Sequence, residues 1–281
     1  MTTSNDNQRA YWNETPGRMW VEFQAELDQL HAEAADLLLA RAAPSPGENL
    51  LDVGCGAGAT TLAAARMVSP GGTVLGLDIS APLVDLANDR IKTAALPNAT
   101  VQLADVQTDR PGAAPFDKVI SRFGVMFFAD PVAAFANIRS LTRPGAPLVF
   151  ACWQGPADNM WFRLPMVAAT DRLGPAEATD PDAPGPMAFR DPARVTGILS
   201  AAGYSDISVT PAEIHLHLDD LEAALRMTRR IGPMTRLLQE KSAGEADLDA
   251  IMDRLRSDLM PFDGPSGFAI PAGIHIVRAI A

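Results

Sequence analysis

The first stretch of the chain is polar, with aromatics at Tyr11, Trp12 and Trp20. Helical spacing then takes over. Leu27, Leu30, Ala34, Leu37 and Leu38 recur on one face, which predicts an amphipathic helix over about residues 21–41. Pro44-Ser45-Pro46-Gly47 breaks it. From there to Trp153, short apolar runs alternate with helical stretches. Strands are expected over residues 50–53, 74–78, 101–106 and 116–121, and a helix from Ala59 to about Met67. Asp130-Pro131 predicts another helix start, with Asp as N-cap and Pro at the first helical position. Arg143-Pro144-Gly145 turns into a fifth strand reaching Phe150. Such alternation predicts an α/β fold, a doubly wound and mostly parallel sheet with helices on both faces.

Beyond residue 154 the pattern loosens. A helix is expected over about 159–173, followed by a loop rich in Pro, Ala and Asp. Asp191-Pro192 caps a helix that stops at Ala202-Gly203. A strand follows over about 207–218, with Pro211 at a bulge or an edge. Residues 219–257 read as helical, and a last strand spans about 273–281. The expected organisation is an N-terminal helical segment or lid (1–44), a Rossmann-like core (45–153), a lid insertion (154–190), core continued (191–218), a helical lid insertion (219–265) and a final core strand (266–281). In a doubly wound sheet, ligands bind beyond the carboxyl ends of the strands, where these insertions would form a lid.

The chemistry concentrates where the first strand ends. Leu50-Leu51-Asp52-Val53-Gly54-Cys55-Gly56-Ala57-Gly58 runs from a buried strand through a glycine turn into a helix. Glycines permit positive φ and let a ligand lie against the backbone. The helix N-terminus favours negative charge. Gly54-x-Gly56-x-x-Ala59 also satisfies the loose dinucleotide fingerprint, so the turn alone does not choose the ligand. The acids do more. Asp52 stands before the first glycine, Asp78 closes the second strand, Asp105 closes the third, and Phe116-Asp117 opens the fourth.

Acids closing three successive strands around such a turn resemble the class I S-adenosylmethionine-dependent methyltransferases, over about residues 45–152. Ser121-Arg122-Phe123-Gly124 after the fourth strand is similar to the ubiquinone/menaquinone-biosynthesis-like small-molecule group. The resemblance implies a Rossmann-like seven-stranded sheet whose last strand lies antiparallel between the fifth and sixth. It also implies S-adenosyl-L-methionine as cofactor, S-adenosyl-L-homocysteine as product and methyl transfer to a small molecule. Gly54, Gly56 and Gly58 would hold the methionine part, Asp78 both ribose hydroxyls, and Asp105 the adenine amino group with Val106 beside the ring. Asp52, Cys55, Ile79, Ser121 and Phe123 complete the expected cofactor set. The acceptor atom stays open among O, N and C.

Composition narrows the partners. A net charge of −11, from 23 basic and 34 acidic residues, argues against a nucleic-acid substrate. No run of ~18 apolar residues predicts a membrane span, no Cys/His spacing predicts a metal, and the polar N-terminus shows no secretory signal. Cys55 and Cys152, the two cysteines, read as buried free thiols in a reducing, cytoplasmic setting. A homodimer is compatible with all of this.

Substrate residues are harder to choose. Tyr11, Trp12 and Trp20 would close over the cofactor or staple the first helix. Trp153 and Trp161 would be a substrate platform or lid core. Arg122 follows the fourth strand near the expected methyl position, where it would face the cofactor, pair with an acid of the lid or, like His215 and His217, serve as a catalytic candidate. His215 and His217 share one strand face, and the choice lies between a polar sheet face and a general base. Arg226, Arg229 and Arg230 share a helix face and would be solvated or anchor an acidic substrate. Met160, Met166, Met187, Met227 and Met234 fall in the lid and favour a lipophilic or aromatic acceptor. Two rival functions compete. A nicotinamide-dependent oxidoreductase of the short-chain kind needs a Tyr-x-x-x-Lys pair, which neither Tyr11 nor Tyr204 forms. A non-catalytic S-adenosylmethionine-binding protein would need no further signature.

Overall fold

The computed structural model describes residues 5–112, 115–232 and 234–281. Four helices come first: α1 (Asp6–Asn13), α2 (Thr15–Glu22), α3 (Gln24–Leu30) and α4 (Ala32–Ala42). Then strands and helices alternate as β1 (Asn49–Val53), α5 (Ala59–Met67), β2 (Thr73–Asp78), α6 (Ala81–Thr93), β3 (Ala99–Leu103), β4 (Lys118–Arg122), α7 (Pro131–Ser140) and β5 (Pro147–Trp153). The remainder is α8 (Met160–Leu173), α9 (Pro192–Ala201), β6 (Ser205–Leu218), α10 (Leu221–Arg230), α11 (Met234–Glu240), α12 (Glu245–Leu259), β7 (Asp263–Gly264) and β8 (Gly267–Ile280).

The sheet order is β3-β2-β1-β4-β5-β8-β6, with β7 paired to β8. β1 to β5 run parallel, and β8 lies antiparallel between β5 and β6. The chain therefore has the expected doubly wound sheet, with an eighth strand, β7, formed by a two-residue hairpin arm. Leu50, Leu51, Leu77, Val119, Ile120 and Phe150 are almost fully buried, because a parallel sheet covered on both faces needs continuous apolar strands. Each such side chain contributes roughly 1.5–3 kcal/mol of burial.

Several boundaries differ from the sequence pattern. The single helix expected over 21–41 is broken at Phe23 and His31, each a non-helical junction residue. Apolar periodicity survives such a break because both pieces bury the same face. β3 stops at Leu103, short of the expected 106, since Asp105 turns the chain: its carboxylate accepts from Gln107 N (3.0 Å) and its carbonyl from Asp109 N (2.7 Å). β6 is an edge strand, which accommodates Pro211 without a bulge there; the register shift falls between Ser205 and Ser208. Region 219–257 is three helices, and β8 starts at Gly267, six residues before the expected 273. The caps at Asp130 and Asp191 form as read, accepting from Ala133 N and Ala193 N at 2.9 Å.

Candidate active site

Val53 delivers the chain into a tight turn at the carboxyl end of β1. Gly54, Gly56 and Gly58 all adopt positive φ there, at 63°, 54° and 81°. A Cβ on Gly54 would stand 2.6 Å from Gly124 Cα, so the β1 loop and the β4 loop touch backbone to backbone. A Cβ on Gly56 would meet nothing within 4 Å. The first turn of the loop is thus sealed below and open above, a cradle for a ligand. The loop carbonyl of Ala57 accepts from Arg90 Nη1 (2.6 Å), and Arg90 is paired with Asp28 of α3. This links the N-terminal helices to the glycine loop.

Asp78 occupies the end of β2. Its Oδ2 accepts from Gly56 N (2.8 Å) and its Oδ1 from Ser80 N (2.9 Å). Burial raises its pKa, and these backbone donors pull it back. Each oxygen keeps a further lone pair, enough to accept two hydroxyls. Asp105, beyond β3, is 5% exposed and accepts from Asn5 Nδ2 (3.0 Å) and Gln107 N (3.0 Å) through Oδ1. Its Oδ2 has Arg9 at 3.8 Å. Val106 lies beside it, buried.

Above these strand ends lies a cavity of about 1240 Å³. It exceeds the roughly 300–1,000 Å³ typical of a single small-molecule site. Gly54, Gly56, Asp78, Ile79, Asp105, Val106 and Phe123 line it, as do the substrate candidates Tyr11, Trp12, Trp20, Trp153 and Trp161. Asn13 fastens α1 over the β2 end, donating to Ile79 O (2.9 Å) and accepting from Ala81 N (2.8 Å), while Ser80 Oγ donates to Trp12 O (2.7 Å). Trp12 meets Tyr11, Trp20 and Phe127 edge to face at 5.2–5.5 Å. Phe123 stacks flat on Trp153, 4.1 Å apart with 7° between planes. Phe123 also holds φ at 63°, an uncommon region for a bulky residue, which the stacked ring and its N–H bond to Ala151 O (3.0 Å) keep in place.

Four members of the expected cofactor set lie beneath the cavity instead of lining it. Asp52 is fully buried, with Oδ2 accepting from Thr60 Oγ1 (2.6 Å) and Thr61 Oγ1 (2.7 Å). Burial pushes its pKa up to about 6 against the two hydroxyl bonds. Asp52 therefore fastens the start of α5 under the loop. Ser121 Oγ donates to Val53 O (2.7 Å) and accepts from Gly124 N (3.2 Å), joining the β1 and β4 ends. Cys55 is a buried thiol whose pKa burial raises, and Gly58 packs against Ala87. A strand-end position looks alike in sequence whether its side chain points up or in.

Three substrate or base candidates are displaced. His215 and His217 sit on β6 outside the cavity, where Glu33 accepts from His215 N (2.7 Å) and meets His217 Nε2 (2.7 Å). Both imidazoles are over 40% exposed, on the outer strand of the sheet. Among the described residues, no His, Cys, Asp and Glu group is arranged to hold a metal. Arg229 is exposed and does not line the cavity; its neighbour Arg230 does, 3.7 Å from Glu22.

His31 has no chemical neighbour in sequence and reads there as structural, yet the structure brings it to the cavity. It stands at the α3–α4 junction, 7% exposed, lining the cavity between Trp20 (6.2 Å), Phe123 (5.4 Å) and Trp153 (6.0 Å). Burial, then the nearby Arg122 charge, lowers its pKa to about 3, so it is neutral. The available signal was its position four residues after Leu27, a polar group on an apolar stripe. Arg122 lines the cavity beside Gly54, and among the described residues its guanidinium forms no hydrogen bond or ion pair.

A glycine cradle with two strand-end carboxylates beneath an aromatic cavity defines a nucleotide-binding α/β protein. Comparison with known proteins takes this further. A methyltransferase domain family matches residues 50–145. Nocamycin O-methyltransferase of Saccharothrix syringae is 32% identical over 193 residues, 66% of this chain and 69% of that protein. Aklanonic acid methyltransferase DauC of Streptomyces sp. (strain C5) is 29% identical over 136 residues, 48% of this chain and 59% of that one. The YcgJ protein of Bacillus subtilis shares the fold, with a TM-score of 0.57 at 15% identity over 89% of this chain and 98% of its own. The chain belongs to the class I S-adenosylmethionine-dependent methyltransferases, and S-adenosylmethionine is its methyl donor.

Proposed function

We propose that this methyltransferase methylates a small aromatic or lipophilic molecule held under α1, α2, α8 and α11. The observation that carries this is the cavity itself. Its volume of about 1240 Å³ exceeds the roughly 300–1,000 Å³ typical of a single small-molecule site, and Trp20, Phe123, Trp153, Trp161, Phe162 and Met166 stand among its walls. Flat aromatic walls favour a planar partner through offset stacking, and the methionines adapt to irregular apolar surface. The likeness of Ser121-Arg122-Phe123-Gly124 to quinone-pathway enzymes agrees with a ring-shaped acceptor.

The residues present suit the cofactor. Asp78 retains acceptor capacity for two ribose hydroxyls, Asp105 Oδ2 retains it for an exocyclic amino group, and the space above Gly56 admits bulk. When bound, the cofactor supplies an electrophilic methyl on a sulfonium. The chain's part is to orient the acceptor and keep water away. Phe123 and Trp153 form the floor against which the acceptor lies, and neutral His31 offers a ring nitrogen as hydrogen-bond acceptor to an O–H or N–H of the bound molecule. Asp52, Ser121 and the Asp28–Arg90 pair hold the loops in register. A cytoplasmic site of action suits the buried free thiols Cys55 and Cys152.

Incubation with S-adenosylmethionine and a panel of hydroxylated polycyclic, monocyclic and aliphatic acceptors tests the proposal. Methylated product, detected by mass, should appear with planar ring acceptors first. Turnover confined to small hydrophilic acceptors would refute it.

A further inference from the structure

The cavity contains several arginines, and they differ in how they are neutralised. Arg230 has Glu22 at 3.7 Å and Arg236 has Glu240 at 2.5 Å, both on the exposed lid. Arg163 is exposed. Arg122 is the exception. It is only partly accessible, yet it has neither hydrogen bond nor ion pair among the described residues. The two acids close enough to act on it are Asp28 and Asp52. Asp28 is committed to Arg90 and Gln24, and Asp52 spends Oδ2 on Thr60 and Thr61 while its buried Oδ1 has no hydrogen-bond partner; among the described residues neither carboxylate forms an ion pair with Arg122. A guanidinium cannot shed its charge. Leaving it unpaired in a partly dry site is costly, and an anion that enters the cavity gains accordingly.

The sheet order says which anion. Adenine and ribose would lie over β3 and β2, at Asp105 and Asp78, and β1 and β4 come next in that order. Three strand steps of about 4.8 Å separate β3 from β4. A ligand held at Asp105 and Asp78 that continues over Gly54 and Gly56 ends at Arg122, beside the Gly54–Gly124 contact. The far end of S-adenosylmethionine from its adenine is an amino acid.

We propose that Arg122 binds the α-carboxylate of the cofactor's methionine part, and so orients the sulfur above Phe123. This rests on the assignment of the cavity as the cofactor site. Arg122, offered by its sequence position as a weak catalytic candidate, is then a cofactor anchor. An amino-acid carboxylate matches a planar guanidinium through two parallel charge-assisted bonds.

The test needs no methyl acceptor. Calorimetry would compare S-adenosylhomocysteine with 5′-methylthioadenosine, which keeps the nucleoside and lacks the amino acid. Arg122→Met should weaken S-adenosylhomocysteine about 10- to 100-fold and 5′-methylthioadenosine less than about twofold, with Arg122→Lys between. Wild-type protein adds an arm independent of any variant's folding. Decarboxylated S-adenosylhomocysteine, with its amine retained, should bind about 10- to 100-fold more weakly than the parent. Equal losses on both ligands in Arg122→Met would overturn the assignment in favour of a loop-supporting role. Unchanged S-adenosylhomocysteine affinity, or equal wild-type affinity for the decarboxylated analogue, would overturn it in favour of an acceptor-side role. Failure of wild-type protein to bind either nucleoside would remove the cofactor site on which the proposal stands.

Discussion

The rim at the ends of β1, β2 and β3 and the lid formed by α8, α10 and α11, with α12 packed behind them, bound one cavity but are held by different means. On the rim, side chains are fixed by backbone donors: Asp78 by Gly56 and Ser80, Asp105 by Gln107. On the lid, charged groups pair with one another in the open, as Arg236 with Glu240, Arg254 with Asp258 and Arg172 with Asp247. Backbone donors go where the fold puts them and cost no side-chain ordering when a ligand arrives. Exposed ion pairs hold two long side chains in high dielectric and contribute little. The rim is therefore preorganised for a constant ligand, whereas the lid can vary its surface at small cost in stability.

The comparison can be broken hardest at the loop contact. Gly54→Ala sets a Cβ against Gly124 Cα at 2.6 Å and forces positive φ on a residue that disfavours it. The left-handed conformation costs ~1–2 kcal/mol and overpacking a further ~1–3. Denaturant unfolding should register a loss of about 2–5 kcal/mol, with S-adenosylhomocysteine binding abolished. A stable variant that binds normally would mean that the rim is less rigid than its geometry states.

A pH series examines the buried support of the same loop. Asp52 has its pKa raised from 3.8 to about 6, so between those values the folded chain retains a proton that the unfolded chain releases. Stability from this group is then fully present below 3.8 and falls as pH rises to about 6, by about 3 kcal/mol at most. Asp52→Asn has no proton to lose. Its stability relative to wild type should improve from about pH 4 to about pH 6 and then level off. A difference independent of pH would place the ionised carboxylate comfortably in the core and contradict the account.

At the rim's ligand-facing edge, Asp78→Ala should weaken S-adenosylhomocysteine about 10- to 100-fold, from lost hydroxyl bonds of ~1.5–3 kcal/mol, with the fold retained. An unaltered dissociation constant in a folded variant would show that another group receives the ribose. The smallest effect belongs to the lid. Arg229 is exposed and away from the cavity. Arg229→Ala should change stability by no more than about 0.5 kcal/mol and leave cofactor affinity intact. A marked rise in KM for an acidic acceptor would restore the anchoring role that its helix position suggested.

Legibility followed the same division. Gly54, Gly56, Asp78, Asp105 and Val106 could be placed near one another because each stands at the end of a parallel strand, and parallel strands deliver their ends to one edge. The resemblance to the methyltransferase family rests on these same positions. Direction of pointing was not. Asp52 and Asp78 both close buried runs, yet Asp52 turns inward onto Thr60 and Thr61 while Asp78 stays at the cavity. His215 and His217 looked more chemical than His31 because they alternate on a strand, but β6 is the sheet's outer edge and lies apart from the cavity. His31 reaches the cavity through a one-residue break in a helix that periodicity read as continuous.

By itself, then, the sequence determined the order of strands and helices, the glycine turn and the acids at the strand ends, whose resemblance to a known family implied the cofactor. These depend on local φ/ψ preferences and on short-range apolar pattern. Only the tertiary structure decided that the Arg122 guanidinium has no hydrogen-bond or ion-pair partner among the described residues, that Phe123 lies on Trp153, that Asp28 reaches the glycine loop through Arg90, and that His31 faces the cavity. Each of these is a relation between segments far apart in the chain. Packing fixes it after the elements have formed, and no spacing within one segment encodes it.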